Sequence, residues 1–272
     1  METVAAWKII FLGVLHGVTE FLPVSSSAHF VIAQQWLNLS KDGAFLMALE
    51  VALRFGTLGA LIAYFYRDLL GLGHCFLKPK SSPAESKHLL WLLILGSFPA
   101  ALIGVMLRDF FSDLFAEIIP ASFFLIITGL ILWLTKWIQS PDIGLNKMGV
   151  KQALLIGLGQ AVAILPGVSR SGTTISMGLF LRLKPQDSVR YSFLLGIPAV
   201  AGATILEFKH LMVMEAALLF PVLLGVLASF IVGYASIRWM LKLVEQQKLH
   251  YFSWYCWLAG GFALFYTFFL EH

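Results

Sequence analysis

The sequence predicts an all-α polytopic membrane protein, with six transmembrane helices plus two re-entrant helical hairpins arranged as an inverted-topology repeat. Composition indicates the membrane, because 59% of the 272 residues are hydrophobic and only 12% are charged, whereas soluble domains average about 25% charged residues. The mean hydropathy of +0.84 agrees, so most of the surface must face lipid. Long and short apolar runs indicate the helices and hairpins, and two similar serine-rich segments indicate the repeat.

Six apolar runs are long enough to cross a bilayer, which takes roughly 20 helical residues. They lie at about 44–66, 89–107, 118–138, 189–206, 216–238 and 251–270. Four other runs are too short or interrupted, and they form two pairs: 4–22 with 28–39, and 150–165 with 172–183. A proline lies at the break of each pair, so each pair is predicted to turn back inside the membrane as a hairpin. Backbone freed at such a break is tolerated only against protein or water.

The two breaks carry similar sequences. FLPVSSSAHF at 21–30, the first serine segment, and ILPGVSRSGTT at 164–174, the second serine segment, both place Leu-Pro before a group of hydroxyl side chains. Each half of the chain is then one hairpin followed by three spans. Because three is odd, the second half must be inverted relative to the first, an arrangement that places binding sites near the midplane. We expect one membrane domain, 1–272, with repeat one at about 1–140 and repeat two at about 141–272.

Loop charges orient this topology. Thirteen of the 19 basic residues fall in loops opposite the N-terminus, Arg67 and Lys78 among them, and two, Arg54 and Arg170, fall inside the membrane. The remaining four, Lys8, Lys41, Arg108 and Lys209, fall on the N-terminal side. Since cytoplasmic loops are the basic ones, the prediction is a multi-pass protein of the bacterial inner membrane with both termini extracytoplasmic.

Several function classes are not supported. Basic residues are dispersed, so nucleic acid is not an expected partner, and no P-loop or zinc-ligand spacing occurs. Cys75 and Cys256 lie far apart in unrelated contexts, which gives a disulfide framework no support. The N-terminal run shows no Ala-x-Ala-like site, so no cleavable signal is expected.

Ionisable residues inside the membrane are costly and are therefore candidates for function. They are His16, Glu20, His29, Glu50, Arg54 and Arg170. His16 and Glu20 are four residues apart, as are Glu50 and Arg54, so each pair shares a helix face. For Glu50 and Arg54 an ion pair that merely neutralises charge in lipid is an equally good interpretation.

The hydroxyl groups beside these residues are Ser25, Ser26, Ser27, Ser169, Ser171, Thr173 and Thr174. Helix capping after a proline break explains one or two serines in each segment, but it leaves the others, His29 and Arg170, unexplained. A guanidinium among hydroxyls at a helix start is typical of phosphate binding. A serine nucleophile, a carboxylate with an imidazole, and an arginine are the groups needed to cleave a phosphoric anhydride. The residues alone predict a membrane-embedded site for a phosphorylated lipid, and leave hydrolysis and transport open.

GVTEFLPVSSSAH at 17–29 and LPGVSRSGTT at 165–174 resemble the two signature motifs of the undecaprenyl-diphosphate phosphatase family, the bacitracin-resistance group called BacA. The resemblance covers nearly the whole chain. It implies a membrane enzyme that removes the terminal phosphate of undecaprenyl diphosphate at the outer face and so recycles the lipid carrier of cell-wall (peptidoglycan) synthesis. The implied partners are that polyprenyl substrate and membrane lipid. The oligomeric state stays open, with a homodimer as one option.

The resemblance also implies roles for individual residues. Ser26 matches the proposed nucleophile, with Glu20, His29 and Arg170 as the other catalytic residues. The predicted phosphate-binding residues, taken from the resemblance and from the residues themselves, are Ser25, Ser27, Ser169, Ser171, Thr173, Thr174 and Arg54. The divalent cation that the resemblance implies, magnesium or calcium, would use Glu20. The chain departs from the family pattern at His16, which replaces Glu or Gln, and at Arg54, which replaces Gln. Together these two changes are expected to favour direct binding of an anion and less dependence on a metal. His16 and Glu50 are predicted to modify the site.

A flippase or transporter of polyprenyl phosphate, with or without phosphatase activity, is the alternative function, because inverted repeats with hairpins recur in transporters. A structural scaffold ranks last, since it gives the buried ionisable residues no purpose.

Overall fold

The computed structural model describes residues 5–37, 39, 43–106, 118–138, 141–213 and 216–269. Within these ranges the chain forms eleven α-helices joined by turns and short 3-10 segments, with no strand longer than one isolated bridge. The helices are α1 (Ala6–Phe21), α2 (Ser26–Trp36), α3 (Gly43–Tyr64), α4 (Tyr66–Leu77), α5 (Ala84–Met106), α6 (Ile118–Leu134), α7 (Val150–Val162), α8 (Arg170–Phe180), α9 (Pro185–Glu207), α10 (Leu219–Glu245) and α11 (Phe252–Phe269). The predicted all-α class is confirmed over this part of the chain.

Five of the described helices are long and apolar enough to cross a membrane: α3, α5, α6, α9 and α10. They coincide with five of the six predicted spans, so the chain is a multi-pass membrane protein. The sixth predicted span, 251–270, falls on α11, an 18-residue helix that is not among the five. Its two tryptophans, two tyrosines and two glycines lower its hydropathy. Both chain termini, Lys41 and Arg108 lie outside the described residues.

Helix α4 was not expected, because its sequence was assigned to a basic loop that contains Arg67 and Lys78. Its 12 residues form an amphipathic helix. Leu72 and Cys75 are buried on one face, whereas Tyr66, Leu70 and Leu77 are exposed on the other. The prediction failed because glycines and charged residues interrupt the apolar residues of this segment.

Both predicted helix breaks are present. Helix α1 ends at Phe21, and Leu22, which precedes Pro23, takes an extended backbone with φ −72° and ψ 150°, as a residue before proline must. Helix α7 ends at Val162, and α8 starts at Arg170 after a turned segment. The restart of α2 at Ser26 and of α8 at Arg170 leaves two helix N-termini, with their free N–H groups, inside the protein.

Two glycine contacts fix how the short helices pack. Helix α1 lies against α10, where a Cβ on Gly13 would come within 2.2 Å of the Gly225 carbonyl oxygen. Helix α7 lies against α5, where a Cβ on Gly157 would come within 2.1 Å of the Gly96 carbonyl oxygen. Small residues let helix backbones approach closely in membranes, where van der Waals packing holds helices together. These two close crossings therefore set the positions of α1 and α7.

We predict that Gly13→Ala and Gly157→Ala each destabilise the protein by about 1–3 kcal/mol or more, because the new methyl group overpacks a backbone contact. Thermal unfolding in detergent measures the loss. Gly202→Ala in α9 is the matched control, since nothing lies within 4 Å of its added Cβ. A Gly13→Ala protein as stable as the Gly202→Ala protein would contradict the close crossing.

Candidate active site

The two serine segments lie in direct contact. Ser171 Oγ donates to the Leu22 carbonyl oxygen at 3.1 Å, and the Gly167 N–H donates to Ser27 Oγ at 3.4 Å. Gly167 has φ +95°, and a Cβ there would be 2.1 Å from the Ala121 carbonyl oxygen, so only glycine suits this turn. The contact brings the start of α2 and the start of α8 together.

Ser26, Glu20 and Arg170 form the centre of the site. Ser26 Oγ donates to Glu20 Oε2 at 2.6 Å, and Arg170 Nη2 donates to Glu20 Oε1 at 2.8 Å. The side chains of Glu20 and Arg170 are 11% and 18% exposed, so they are accessible but largely desolvated. This combination supplies a hydroxyl nucleophile, a carboxylate that can take its proton and a cation for phosphoryl oxygens.

The structure separates the serines that cap helices from the one that faces the carboxylate. Ser25 accepts from the Ala28 N–H at 3.5 Å and Ser169 accepts from the Gly172 N–H at 3.1 Å. One serine of each segment therefore caps a helix. Ser27 and Ser171 link the two segments. Among the three serines of the first segment, Ser26 is the one that donates a hydrogen bond to a carboxylate, that of Glu20, within the described ranges.

On α8, Arg170 and Thr173 hold unused hydrogen-bonding groups. Arg170 Nη1 and Thr173 Oγ1 are buried and have no hydrogen-bond partner among the described residues. Thr174, by contrast, donates to the carbonyl oxygen of Arg170 at 2.8 Å and so serves its own helix. The guanidinium lies against Gly196, where a Cβ would be 2.2 Å from Nη1. The absent side chain makes room for the arginine.

His16 lies behind the centre. It is 2% exposed, and its Nε2 is 4.0 Å from Glu20 Oε2. Neither ring nitrogen has a hydrogen-bond partner in the described part of the chain. Gln160, which occupies the equivalent place before the second serine segment, is likewise buried without a partner.

The divalent cation implied by the resemblance does not fit these residues. Magnesium and calcium prefer oxygen ligands, but His16 offers nitrogen, and both oxygens of Glu20 already accept hydrogen bonds. Over the described residues, no group of three or more His, Cys, Asp and Glu side chains could hold a metal ion. We therefore derive no step through a metal.

His29 is near the centre but does not contact it. Its Nδ1 is 2.8 Å from the carbonyl oxygen of Ser25, and its Nε2 is 2.7 Å from the hydroxyl of Tyr255. Both ring nitrogens are thus engaged away from Ser26 and Glu20. Tyr255 was not predicted as a site residue, because it lies 226 positions from His29 in a span rich in aromatic residues.

Glu50 and Arg54 form the predicted ion pair, with 2.6 Å between Glu50 Oε1 and Arg54 Nη2. A second carboxylate, Glu207 at the end of α9, binds Arg54 Nη1 at 2.5 Å. Glu207 was missed because it lies one residue beyond the predicted span 189–206. With both terminal nitrogens held by carboxylates, Arg54 is neutralised in this structure, so its phosphate-binding role stays a prediction.

Thr128 on α6 also supports the site. Its hydroxyl donates to the Gly167 carbonyl oxygen and accepts from the Ser169 N–H, both at 3.0 Å. The only sequence signal for Thr128 is a threonine inside the apolar span 118–138.

The fold and the site define an α-helical membrane protein in which two broken helices bring a serine, a carboxylate and an arginine together. A sequence profile described as bacitracin resistance protein BacA matches residues 9–262. The chain belongs to this family, which confirms the resemblance.

Curated relatives agree over nearly the full length. The undecaprenyl-diphosphatase of Methanobrevibacter smithii is 38% identical over 265 residues, 93% of this chain and 94% of the relative. The proteins of the same name from Thermomicrobium roseum and Halothermothrix orenii are 37% and 34% identical, and cover 92% and 93% of this chain and 93% and 95% of their own lengths.

We predict that His16→Glu creates the cation site that the natural residue prevents. The new carboxylate would lie beside Glu20 and offer oxygen ligands for calcium or magnesium. Calcium should then raise the unfolding temperature of the variant, since a ligand at 100 times its Kd stabilises by about 2.7 kcal/mol. Phosphate release by the natural chain should resist a chelator.

Gln160→Glu is the control for an added carboxylate at an equivalent depth. Calcium stabilisation of the natural chain equal to that of His16→Glu would show that the site already holds the cation.

Proposed function

We propose that this chain is an integral membrane phosphatase that hydrolyses undecaprenyl diphosphate to undecaprenyl phosphate and inorganic phosphate, and so recycles the lipid carrier of cell-wall synthesis. The observation that carries the proposal is the Ser26 hydroxyl donating to Glu20, which Arg170 holds in turn. Family membership and the name of the relatives support the substrate. That name is a hydrolase's, which favours hydrolysis over the flippase alternative.

The first step transfers the terminal phosphoryl group to Ser26. A bond forms between Ser26 Oγ and the terminal phosphorus, the bond from that phosphorus to the bridging anhydride oxygen breaks, and undecaprenyl phosphate leaves. Glu20 Oε2 takes the hydroxyl proton, since Ser26 already donates to it. The guanidinium of Arg170, which already binds Glu20, binds the oxygens of the transferring group and stabilises their charge.

The second step hydrolyses the phosphoserine. Once Glu20 has released its proton to solvent, it accepts a proton from the attacking water. The oxygen of that water bonds to phosphorus, the bond from phosphorus to Ser26 Oγ breaks, and Ser26 Oγ takes the proton back from Glu20 as inorganic phosphate leaves. One carboxylate thus serves both steps. We infer that Arg170, and not a bound cation, carries the charge stabilisation, because Glu20 is engaged and His16 suits neither magnesium nor calcium.

Helix lengths support the two re-entrant hairpins. Helices α1 and α7 have 16 and 13 residues, which is about 24 and 20 Å at 1.5 Å per residue. Helices α2 and α8 have 11 residues each, or about 17 Å. All four are shorter than the roughly 30 Å of the hydrocarbon core, so a turn inside the membrane suits them better than full crossing. Six spans, with α11 as the last, complete the proposed architecture.

Matching contacts support the inverted repeat of about 1–140 and 141–272 in one membrane domain. Gly13 meets Gly225 in the crossing of α1 and α10, and Gly157 meets Gly96 in the crossing of α7 and α5. Each short helix thus packs on a span of the other half. Ser25 and Ser169 cap α2 and α8 at equivalent positions. This reciprocity is what two related halves would produce.

An aromatic cluster supports the orientation. Trp133 lies 5.9 Å from Trp137 and 5.5 Å from Trp254 between ring centroids, and Lys136 lies over the Trp133 ring. Tryptophans of this kind mark a membrane interface, and basic residues favour its cytoplasmic side. This cluster suits the cytoplasmic interface of a bacterial inner membrane protein whose termini, and the mouth of the first hairpin, are proposed to face outward.

We predict that Ser26→Ala lowers phosphate release from undecaprenyl diphosphate by at least about 1000-fold, as loss of a nucleophile does. Ser25→Ala and Ser27→Ala should lose far less activity. Each removes only a helix cap or a hydrogen bond between the two segments, which contributes about 1 kcal/mol. Ser81→Ala, in an exposed loop, is the control. Mass spectrometry of acid-quenched enzyme should find a phosphoryl group on Ser26, and undiminished turnover by Ser26→Ala would refute this mechanism.

The topology is tested with two single-cysteine probes in a background lacking Cys75 and Cys256. We predict that a membrane-impermeant maleimide applied to intact spheroplasts labels Lys209→Cys and leaves Asn146→Cys unlabelled. Both positions are exposed, so both should react after lysis, which is the control. Labelling of Asn146→Cys in intact spheroplasts would reverse the proposed orientation.

A further inference from the structure

Ser25, directly before Ser26, has an unusual backbone. Its φ is +66° and its ψ 102°, in a region that residues with a side chain rarely adopt and that costs of order 1–3 kcal/mol. Such a conformation persists only where the surroundings hold it. Since Ser26 is the first residue of α2, the direction of its hydroxyl depends on how Ser25 is held.

Side chains from distant helices hold this turn by its carbonyl oxygens. The Leu22 carbonyl oxygen accepts from Ser171 Oγ at 3.1 Å, and the Pro23 carbonyl oxygen accepts from Cys256 Sγ at 3.7 Å. The Ser25 carbonyl oxygen accepts twice from His29, from its backbone N–H at 3.3 Å and from Nδ1 at 2.8 Å. The imidazole therefore supplies the shorter bond at the strained residue.

The geometry fixes the tautomer of His29. A carbonyl oxygen can only accept, so Nδ1 carries the hydrogen and Nε2 of the neutral ring is an acceptor. The hydroxyl of Tyr255 faces that Nε2 at 2.7 Å and can donate to it. The two rings also stack, with centroids 5.6 Å apart and planes 10° apart. The Ser25 carbonyl oxygen thus sets the Nδ1–H tautomer, and Tyr255, as a donor to Nε2, stabilises that same tautomer.

We propose that His29 and Tyr255 are a positioning pair: Tyr255 locks His29 as the Nδ1–H tautomer, and His29 holds Ser25 so that Ser26 points at Glu20. The inference rests on the proposed function for its catalytic consequence. It replaces the proton-carrying role implied by the resemblance, because both ring nitrogens of His29 are engaged and Glu20 already accepts the Ser26 hydrogen. Tyr255 and Cys256 are neighbours, so α11 holds the turn at two points.

An asparagine at position 29 separates positioning from proton transfer. Its amide nitrogen is as many bonds from the backbone as Nδ1 and donates a hydrogen bond, but it does not titrate. We expect His29→Asn to keep kcat within about 10-fold of the natural enzyme, with the same pH profile, whereas His29→Leu loses about 100-fold, the usual effect of a misplaced reacting group. KM should change little in either. Equal loss in both variants, or retained activity in both, would overturn the proposal.

Tyr255→Phe tests the second residue of the positioning pair. It keeps the stacked ring but removes the donor, and we expect kcat to fall about 5-fold, the effect of one hydrogen bond. Tyr266→Phe, on the same helix, is the matched control and should leave kcat unchanged. In the Tyr255→Phe background, His29→Asn should cost no more than it does alone. Full activity in Tyr255→Phe would remove Tyr255 from the pair.

A measurement independent of turnover keeps the two proposals distinguishable. Nitrogen NMR of histidine-labelled protein, with the His29 signals assigned by their loss in His29→Asn, reports the tautomer directly. We expect Nδ1–H in the natural chain and a mixture of tautomers in Tyr255→Phe. An Nε2–H tautomer would overturn the positioning pair. Absence of phosphate release by the natural chain with Nδ1–H present would overturn the function alone.

Discussion

The ion pair between Glu20 and Arg170 is the interaction on which the rest of the structure depends. Glu20 lies just before one break in the chain and Arg170 just after the other, and each charge would be costly in lipid without a partner. At 2.8 Å they neutralise each other and join the end of α1 to the start of α8, 150 residues away. The same pair leaves one carboxylate oxygen for Ser26 and one guanidinium nitrogen without a partner in the described ranges, so structural neutralisation and the proposed chemistry use the same two side chains.

The ion pair between Glu20 and Arg170 forms only if the two short helices α1 and α7 end at matching positions. The close crossings at Gly13 and Gly157 fix those positions. Neither α1 nor α7 is long enough to be positioned by both membrane interfaces. Their positions come from backbone contact with α10 and α5, at Gly13 and Gly157. Because a helix in close backbone contact cannot slide without a clash, the residues one to two turns further on are fixed as well. Glu20 is one of them.

The sequence predicted the parts of the site that are encoded locally. Pro23 and Pro166 break helices through their own rings, and an arginine among serines at a helix start implies an anion. The sequence could not distinguish Ser25, Ser26 and Ser27, because three identical hydroxyls differ only through the backbone angle at Ser25. It also missed Tyr255 and Glu207, whose partners are brought close by tertiary packing alone. Contacts of that kind can be predicted only once the fold is known.

Several buried polar groups at the centre of the site have no hydrogen-bond partner among the described residues. An unsatisfied buried donor or acceptor costs about 1–3 kcal/mol, and the membrane offers no water to relieve it. Arg170 Nη1, Thr173 Oγ1 and the ring of His16 are all in this condition over the described residues. Arg170 and Thr173 share a face of α8, and His16 lies 4.0 Å from the carboxylate that Arg170 binds. Under the proposed function, phosphoryl oxygens supply hydrogen-bond acceptors beside Arg170 and Thr173, the two of these residues that lie on the helix whose start meets Glu20.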